Sequence, residues 1–554
     1  MSSDTQIDPS VQPKPIEQIA AQLGIDRTDL LPYGGEIAKI HINALHRPRK
    51  KQGRLILVSA TTPTAAGEGK TTTSIGLGQA FARLGKSVCL ALREPSLGPC
   101  LGMKGGATGG GRSQLLPADR INLHFTGDFH AITSANNLLS AVIDNHIYQG
   151  NDLSIDPRRV LWRRVIDMND RSLRHIVLGL GGKLQGMPRE GGFDISAASE
   201  VMAMLCLASD LDDLSQRLNN TLVAFTYGGD PVFAKQLQVT GAMLALLRDA
   251  IHPNLVQSME AVPTLVHGGP FANIAHGCNS LIATRMAQHY ADWAITEAGF
   301  GFDLGAEKFF DIKCRLGRLD PQAVVLVTTT RALKLHGGKT KENLTGQDLP
   351  ALRKGLVNLD KHIENVRKFN KQPVVALNRF TGDSAGEIDL IKTRCQELNT
   401  PFALCDHYAT GGDGALDLAR QVMQVADQSQ PSRLLYPLDL PVEEKVRIVC
   451  REMYGADDVA FTKQAARDLL HIQQLGFAQM PVCIAKAPGS LSDDPKLYGR
   501  PRHFEITVRS IQINSGAGFL VALTGDILRM PGLPKHPSAE RWQLRDDGSI
   551  IGLE

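Results

Sequence analysis

Eight residues, Thr64-Ala65-Ala66-Gly67-Glu68-Gly69-Lys70-Thr71, constrain this chain more than any other feature. They follow an apolar run at 55–60 and open a segment in which Leu77, Phe81 and Leu84 recur on one helical face. A glycine-rich turn between a buried strand and a helix, ending in Lys-Thr, is the context of a phosphate-binding loop. Backbone N–H groups and the helix N-terminus attract phosphate oxygens there. Lys70 would reach the β- and γ-phosphates of ATP, and the Thr71 hydroxyl would hold magnesium. Thr64 stands where the usual pattern has glycine. The plain alternative is a glycine turn without a ligand; the Lys-Thr pair and its flanks favour the nucleotide.

The rest of the chain repeats the strand-then-helix alternation. Further strands are expected at 87–92, 175–180, 221–226, 323–329, 374–378 and 402–405. A lead-in helix is expected over 16–31. Another is expected after Asp194 as N-cap, with Val201, Leu205 and Ala208 on one face. Such alternation implies an α/β fold: a phosphate-loop NTPase-like parallel sheet domain with two smaller α/β or α+β domains. Polar stretches at 336–348 and 429–437 suggest units 1–340, 341–435 and 436–554, the last more β-like after Met480.

Composition narrows the function class. Sixty Lys and Arg against 57 Asp and Glu give a net charge of +3, too even to argue for nucleic acid or a membrane surface. No apolar run approaches the roughly 20 residues of a membrane span, and the polar N-terminus lacks a signal-peptide core. The nine dispersed cysteines form no Cys-x-x-Cys pair, which fits reduced thiols in the cytoplasm.

Four more segments carry chemistry. Arg93-Glu94-Pro95-Ser96 follows the strand at 87–92, and in open α/β sheets ligands sit beyond strand carboxyl ends. Arg93 is therefore either an anion clamp near the phosphate loop or a surface arginine paired with Glu94. The glycine-rich stretch 104–111 reads as a substrate lid or a turn-rich loop. Asn122, His124, Asp128 and His130 fall within nine residues at no familiar zinc spacing, so buried, hydrogen-bonded side chains are expected. Segment 267–279, with His267, His276 and Cys278, raises a thiol nucleophile but fits a structural or substrate-lining role better.

Together these segments resemble the formate–tetrahydrofolate ligase family over nearly the whole chain, with the closest likeness at 64–72, 93–98, 121–151, 189–200, 267–315, 490–501 and 517–535. The resemblance implies that ATP activates formate as formyl phosphate and that nitrogen 10 of tetrahydrofolate then takes the formyl group. It implies that Lys70 is the phosphate-loop lysine, that Arg93 holds formyl phosphate, and that Glu94 is associated with a monovalent cation. It places Asp128 in an active-site segment and sandwiches the folate ring between Phe380 and Tyr408. It further implies a homotetramer. Tyr408 stands where the family commonly has tryptophan, and Thr381 where it often has proline or valine. Tyrosine keeps a π-face for stacking with less area. Two other readings of the loop are a partner-binding nucleotide switch of the partitioning type and a ligase for a different carboxylate.

Overall fold

The computed structural model describes residues 12–49, 51–102, 108–525 and 527–553. Its centre is a 12-stranded sheet. Ten of its strands are β1 (Leu30–Pro32), β2 (Ala38–Ile40), β3 (Arg54–Ala60), β4 (Val88–Leu92), β5 (Asn254–Ser258), β6 (Pro263–Val266), β7 (Trp293–Glu297), β8 (Pro321–Thr328), β9 (Pro373–Asn378) and β10 (Phe402–Cys405). They lie in the order β1-β2-β5-β6-β4-β7-β3-β8-β9-β10. From β6 to β10 every neighbouring pair is parallel. The β1, β2 and β5 edge is antiparallel, so the sheet is mixed but mostly parallel.

β3 shows why the strand holds the centre. Its side chains alternate between two cores: Leu55 and Leu57 enter one, Ile56, Val58 and Ala60 the other. Helix α1 (Lys70–Arg83) closes the second core with Ile75, Leu77, Ala80 and Phe81. Helices α2 (Asp128–Tyr148), α3 (Leu281–Tyr290), α4 (Thr330–His336) and α5 (Leu349–Lys368) all contribute buried side chains elsewhere, and those of α3 and α5 belong to the first core. A strand apolar on both faces is the signature of a parallel sheet covered by helices on each side.

The last part of the chain forms its own four-stranded sheet from β11 (Asp458–Phe461), β12 (Val482–Ala485), β13 (Glu505–Asn514) and β14 (Phe519–Thr524), ordered β11-β13-β14-β12. By contrast, β9 and β10, from the expected middle unit, continue the main sheet beyond β8.

Several expectations need correction. The strand at 175–180 is shorter, Ile176–Leu178, and pairs only with Arg189–Gly191 in a hairpin outside the main sheet. The strand at 221–226 belongs to a three-stranded side sheet. The lead-in helix ends at Leu23, where Gly24 adopts the left-handed conformation that closes helices. The helix expected after Asp194 starts at Glu200, with Ser199 accepting the Met202 N–H at 3.1 Å. Asp194 lies in the strand Phe193–Ile195 instead, its carboxylate 3.3 Å from Arg163 and 2.8 Å from Arg529. Among the described residues no helix is long and apolar enough to cross a membrane. All nine cysteines are buried free thiols.

Candidate active site

The parallel strands open their carboxyl ends on one edge, and each delivers a different group there. β3 leads into the phosphate loop, β4 into Arg93 and Glu94, and β7 ends in Glu297. β8 leads into Thr329, β9 into Arg379 and Phe380, and β10 into Asp406, His407 and Tyr408.

The loop is held by its own acid. Glu68 is buried; one carboxylate oxygen accepts the Thr64 N–H at 2.7 Å and the other the Thr329 hydroxyl. Asn378, at the end of β9, donates to the Glu68 carbonyl at 3.1 Å. Gly69 has φ 75°, and a Cβ there would lie 2.4 Å from the Asn378 amide nitrogen, so only glycine fits. The Glu68 side chain thus faces inward and shapes the loop. Ala65 and Ala66 are exposed, and Lys70 and Thr71 are half-buried at the start of α1. Gly69, the N-cap of α1, gives it no side-chain cap, the arrangement in which a helix N-terminus receives an anion.

Glu297 joins two of the expected site residues. Its carboxylate accepts the Thr71 hydroxyl at 2.9 Å, and its other oxygen lies 3.7 Å from Arg93 Nε. Arg93 is therefore turned toward the phosphate loop, with 27% of its side chain exposed, and its ion pair is with Glu297. Gly299 leaves space for it, since a Cβ there would come within 2.9 Å of the guanidinium.

Glu94 points the other way. It is buried, and one of its carboxylate oxygens has no hydrogen-bond partner among the described residues. Burial, reinforced by the charge of Asp128, pushes its carboxyl well above the usual range. Asp128 itself, the first residue of α2, is saturated: Lys39 Nζ lies 2.7 Å away, and Asn254 donates at 2.8 Å. Lys39 also donates to the His252 carbonyl at 3.0 Å. The structure therefore presents Asp128 as half of a buried ion pair whose field acts on Glu94.

Among the described residues no group of three His, Cys, Asp or Glu side chains is arranged to hold a metal. The Thr71 and Glu297 pair still suits magnesium, which takes one or two protein oxygens and completes its shell with phosphate oxygens and water. The partnerless Glu94 oxygen suits a monovalent cation, which would keep that carboxyl ionised.

Adjacent strands bring the two aromatic residues to this edge. Asn378 and Cys405 are in register, and the Arg379 N–H donates to the Cys405 carbonyl at 3.0 Å. The Phe380 ring lies under the Arg331 guanidinium, 4.2 Å from its centroid. Tyr408 is 45% exposed and rests on the glycine run. A Cβ on Gly110 would come within 3.1 Å of its ring. One on Gly111 would come within 2.9 Å of the ring and 2.1 Å of the Tyr408 carbonyl, which accepts the Arg112 N–H at 2.8 Å. In the described end of that run, Gly109–Gly110 form a short strand paired with Ser113–Gln114, and the turn begins at Gly111; 104–107 lie outside the described residues.

The remaining motifs divide. Asn122 is buried and donates to Thr108 at 3.1 Å, whereas His124 and His130 are exposed, against expectation. His267 spends both ring nitrogens on Ser280 (2.7 Å) and Ala250 (2.6 Å). Burial pushes the Cys278 thiol up to about 11, which removes the thiolate a nucleophile needs. Sequence reasoning missed Glu297, Thr329, Arg331 and Asn378. For Glu297 the available signal was the acid closing Trp293-Ala-Ile-Thr-Glu297, a run not read as a strand.

The geometry agrees with comparison to known proteins. The family profile described as formate–tetrahydrofolate ligase matches residues 2–554, nearly the whole chain. The chain belongs to the formate–tetrahydrofolate ligase family, ATP-dependent ligases that formylate tetrahydrofolate.

Proposed function

We propose that the formylation runs through formyl phosphate at the edge where Lys70, Thr71, Arg93 and Glu297 meet. A formate oxygen attacks the γ-phosphorus and the bond to ADP breaks. Nitrogen 10 of tetrahydrofolate then attacks the formyl carbon, phosphate leaves with the bonding electrons, and the amine proton is lost. Formate is a poor electrophile, and phosphorylation supplies its leaving group. Two anions must meet, so positive charge is the main requirement. Lys70 sits at the anion-receiving end of α1, and Arg93 reaches the same place from β4. Thr71 and Glu297 would hold magnesium, which supplies charge neutralisation at the β- and γ-phosphates. The single observation that carries this reading is the Thr71–Glu297–Arg93 line, which ties the phosphate loop to the arginine after β4 through Glu297 on the intervening strand β7. The route is tested with oxygen-18 formate: one label per turnover should appear in inorganic phosphate. Label confined to the formyl product would overturn it.

Phe380 and Tyr408 are proposed to stack on the folate ring, with Asp128 and Lys39 as the buried pair behind Glu94 and its cation. Stacking on one aromatic face contributes about 1–3 kcal/mol. Tyr408→Ala should therefore raise the apparent folate constant about tenfold and leave that for ATP within twofold. Equal rises in both would remove Tyr408 from the folate site. In this reading 341–435 contributes the folate residues and 436–554 forms a third unit, in a cytoplasmic homotetramer. The exposed Val177, Leu180, Leu184 and Met187 around the hairpin give an apolar surface in keeping with assembly.

A further inference from the structure

Gly499 lies in the C-terminal segment 490–501, which the proposed chemistry does not use. It meets the phosphate loop at Thr62, two residues before Thr64, through two side chains that each hold both partners. Asn358 of α5 is fully buried. Its oxygen accepts the Thr62 N–H at 3.3 Å, and its nitrogen donates to the Thr62 hydroxyl at 3.0 Å and to the Gly499 carbonyl at 2.9 Å. His336, the last residue of α4, lies with Nε2 3.0 Å from the Thr62 carbonyl and Nδ1 3.0 Å from the Gly499 nitrogen. The Gly499 N–H is a donor, so Nδ1 must accept and Nε2 must carry the proton. Both backbone groups of Thr62 and both of Gly499 are thereby satisfied by the same two side chains. His362 adds a contact to the Thr62 hydroxyl at 2.9 Å.

The position also demands glycine. Gly499 has φ 75°, and a Cβ would stand 2.9 Å from the His336 carbonyl. Upstream, Thr61 still donates to Val327 of β8 at 3.0 Å, so Thr62 is where the chain leaves the sheet. Its carbonyl and N–H set the direction in which 63–69 departs. A cradle of backbone N–H groups binds phosphate well only if its geometry is fixed before the ligand arrives.

We infer that His336 and Asn358 are positioning residues for ATP, clamping the root of the phosphate loop to Gly499 so that nucleotide affinity depends on the C-terminal segment. The inference rests on the reading of 64–71 as the ATP loop. The clamp touches no reacting atom; it acts through Thr62.

The test measures ATP binding by calorimetry, and initial rates against each substrate, on the full chain. The variants are His336→Leu, Asn358→Leu, Gly499→Ala and Lys70→Ala, each checked for native circular dichroism. The clamp variants should weaken ATP binding at least about tenfold (1.4 kcal/mol). The folate and formate constants should stay within twofold, and turnover at saturating ATP within threefold. His336→Leu combined with Asn358→Leu should weaken ATP binding by less than the product of the single effects, since both act on one pair of backbone groups. An ATP constant unchanged in any natively folded clamp variant overturns the inference, as does a parallel rise for all three substrates, the mark of a merely structural role. Gly499→Ala carries the test from the opposite end if the buried substitutions do not fold. ATP binding equally tight in Lys70→Ala and the unaltered chain would instead overturn the loop reading beneath it.

Discussion

Replacement of Lys70 by alanine should lower formate-dependent ADP formation on the order of 10³-fold, the scale for removing one preorganised charge from a transition state. Lys70 opens α1 at the loop's C-terminal end, where no other cation takes its place in the phosphate-loop pattern. Other side chains also fix the loop. Glu68, Thr329 and Asn378 hold the turn, and Thr73 caps it from within by donating to the Gly69 carbonyl at 2.9 Å. The variant should therefore keep its circular dichroism and thermal midpoint, separating lost chemistry from lost fold. Turnover within a few-fold of the unaltered chain would sink the phosphate-loop assignment.

Arg93→Ala should cost at least about 100-fold in turnover. The guanidinium is partly buried, carries a neighbour in Glu297 and faces the loop across the end of β7, so it is placed to meet the second anion. Arg93→Lys should restore little, because a point charge on a flexible stem does not reproduce a planar fork aimed at phosphoryl oxygens. Steady-state kinetics against formate decides this. An unchanged rate in Arg93→Ala would return the residue to an ordinary ion pair with Glu297.

What could be read from the sequence was local in range. The turn between β3 and α1 announces itself because the features that signal it lie within about thirty positions, and strand, glycines and helix face all agree; Thr329 and Asn378, which help to hold it, come from far along the chain. Arg93 was found for the same reason, one residue beyond a run of apolar side chains. Glu297 was not, because its meaning arises only when β7 pairs beside β3 and brings residues far apart in sequence into register. The run at 175–180 did form a strand, but apolar patterning does not say which sheet a strand joins, and this one became an exposed hairpin. Asp194, expected as a cap, instead holds two arginines from a strand, and Ser199 caps the helix. Phe380 and Tyr408 came from the family resemblance alone. Nothing local explained the glycines at 110 and 111 until Tyr408 was seen resting on them.

The central position of β3 has a consequence for how the molecule is made. Its two sheet neighbours are residues 293–297 and 321–328, so the strand that carries the nucleotide loop is synthesised early and seated late. A nascent chain has to emerge past residue 328 before that strand is flanked on both sides, and closing so long a loop is entropically costly and slow. Until then both backbone edges of β3 lack their strand partners, which makes this early segment the natural client of a holding chaperone during translation.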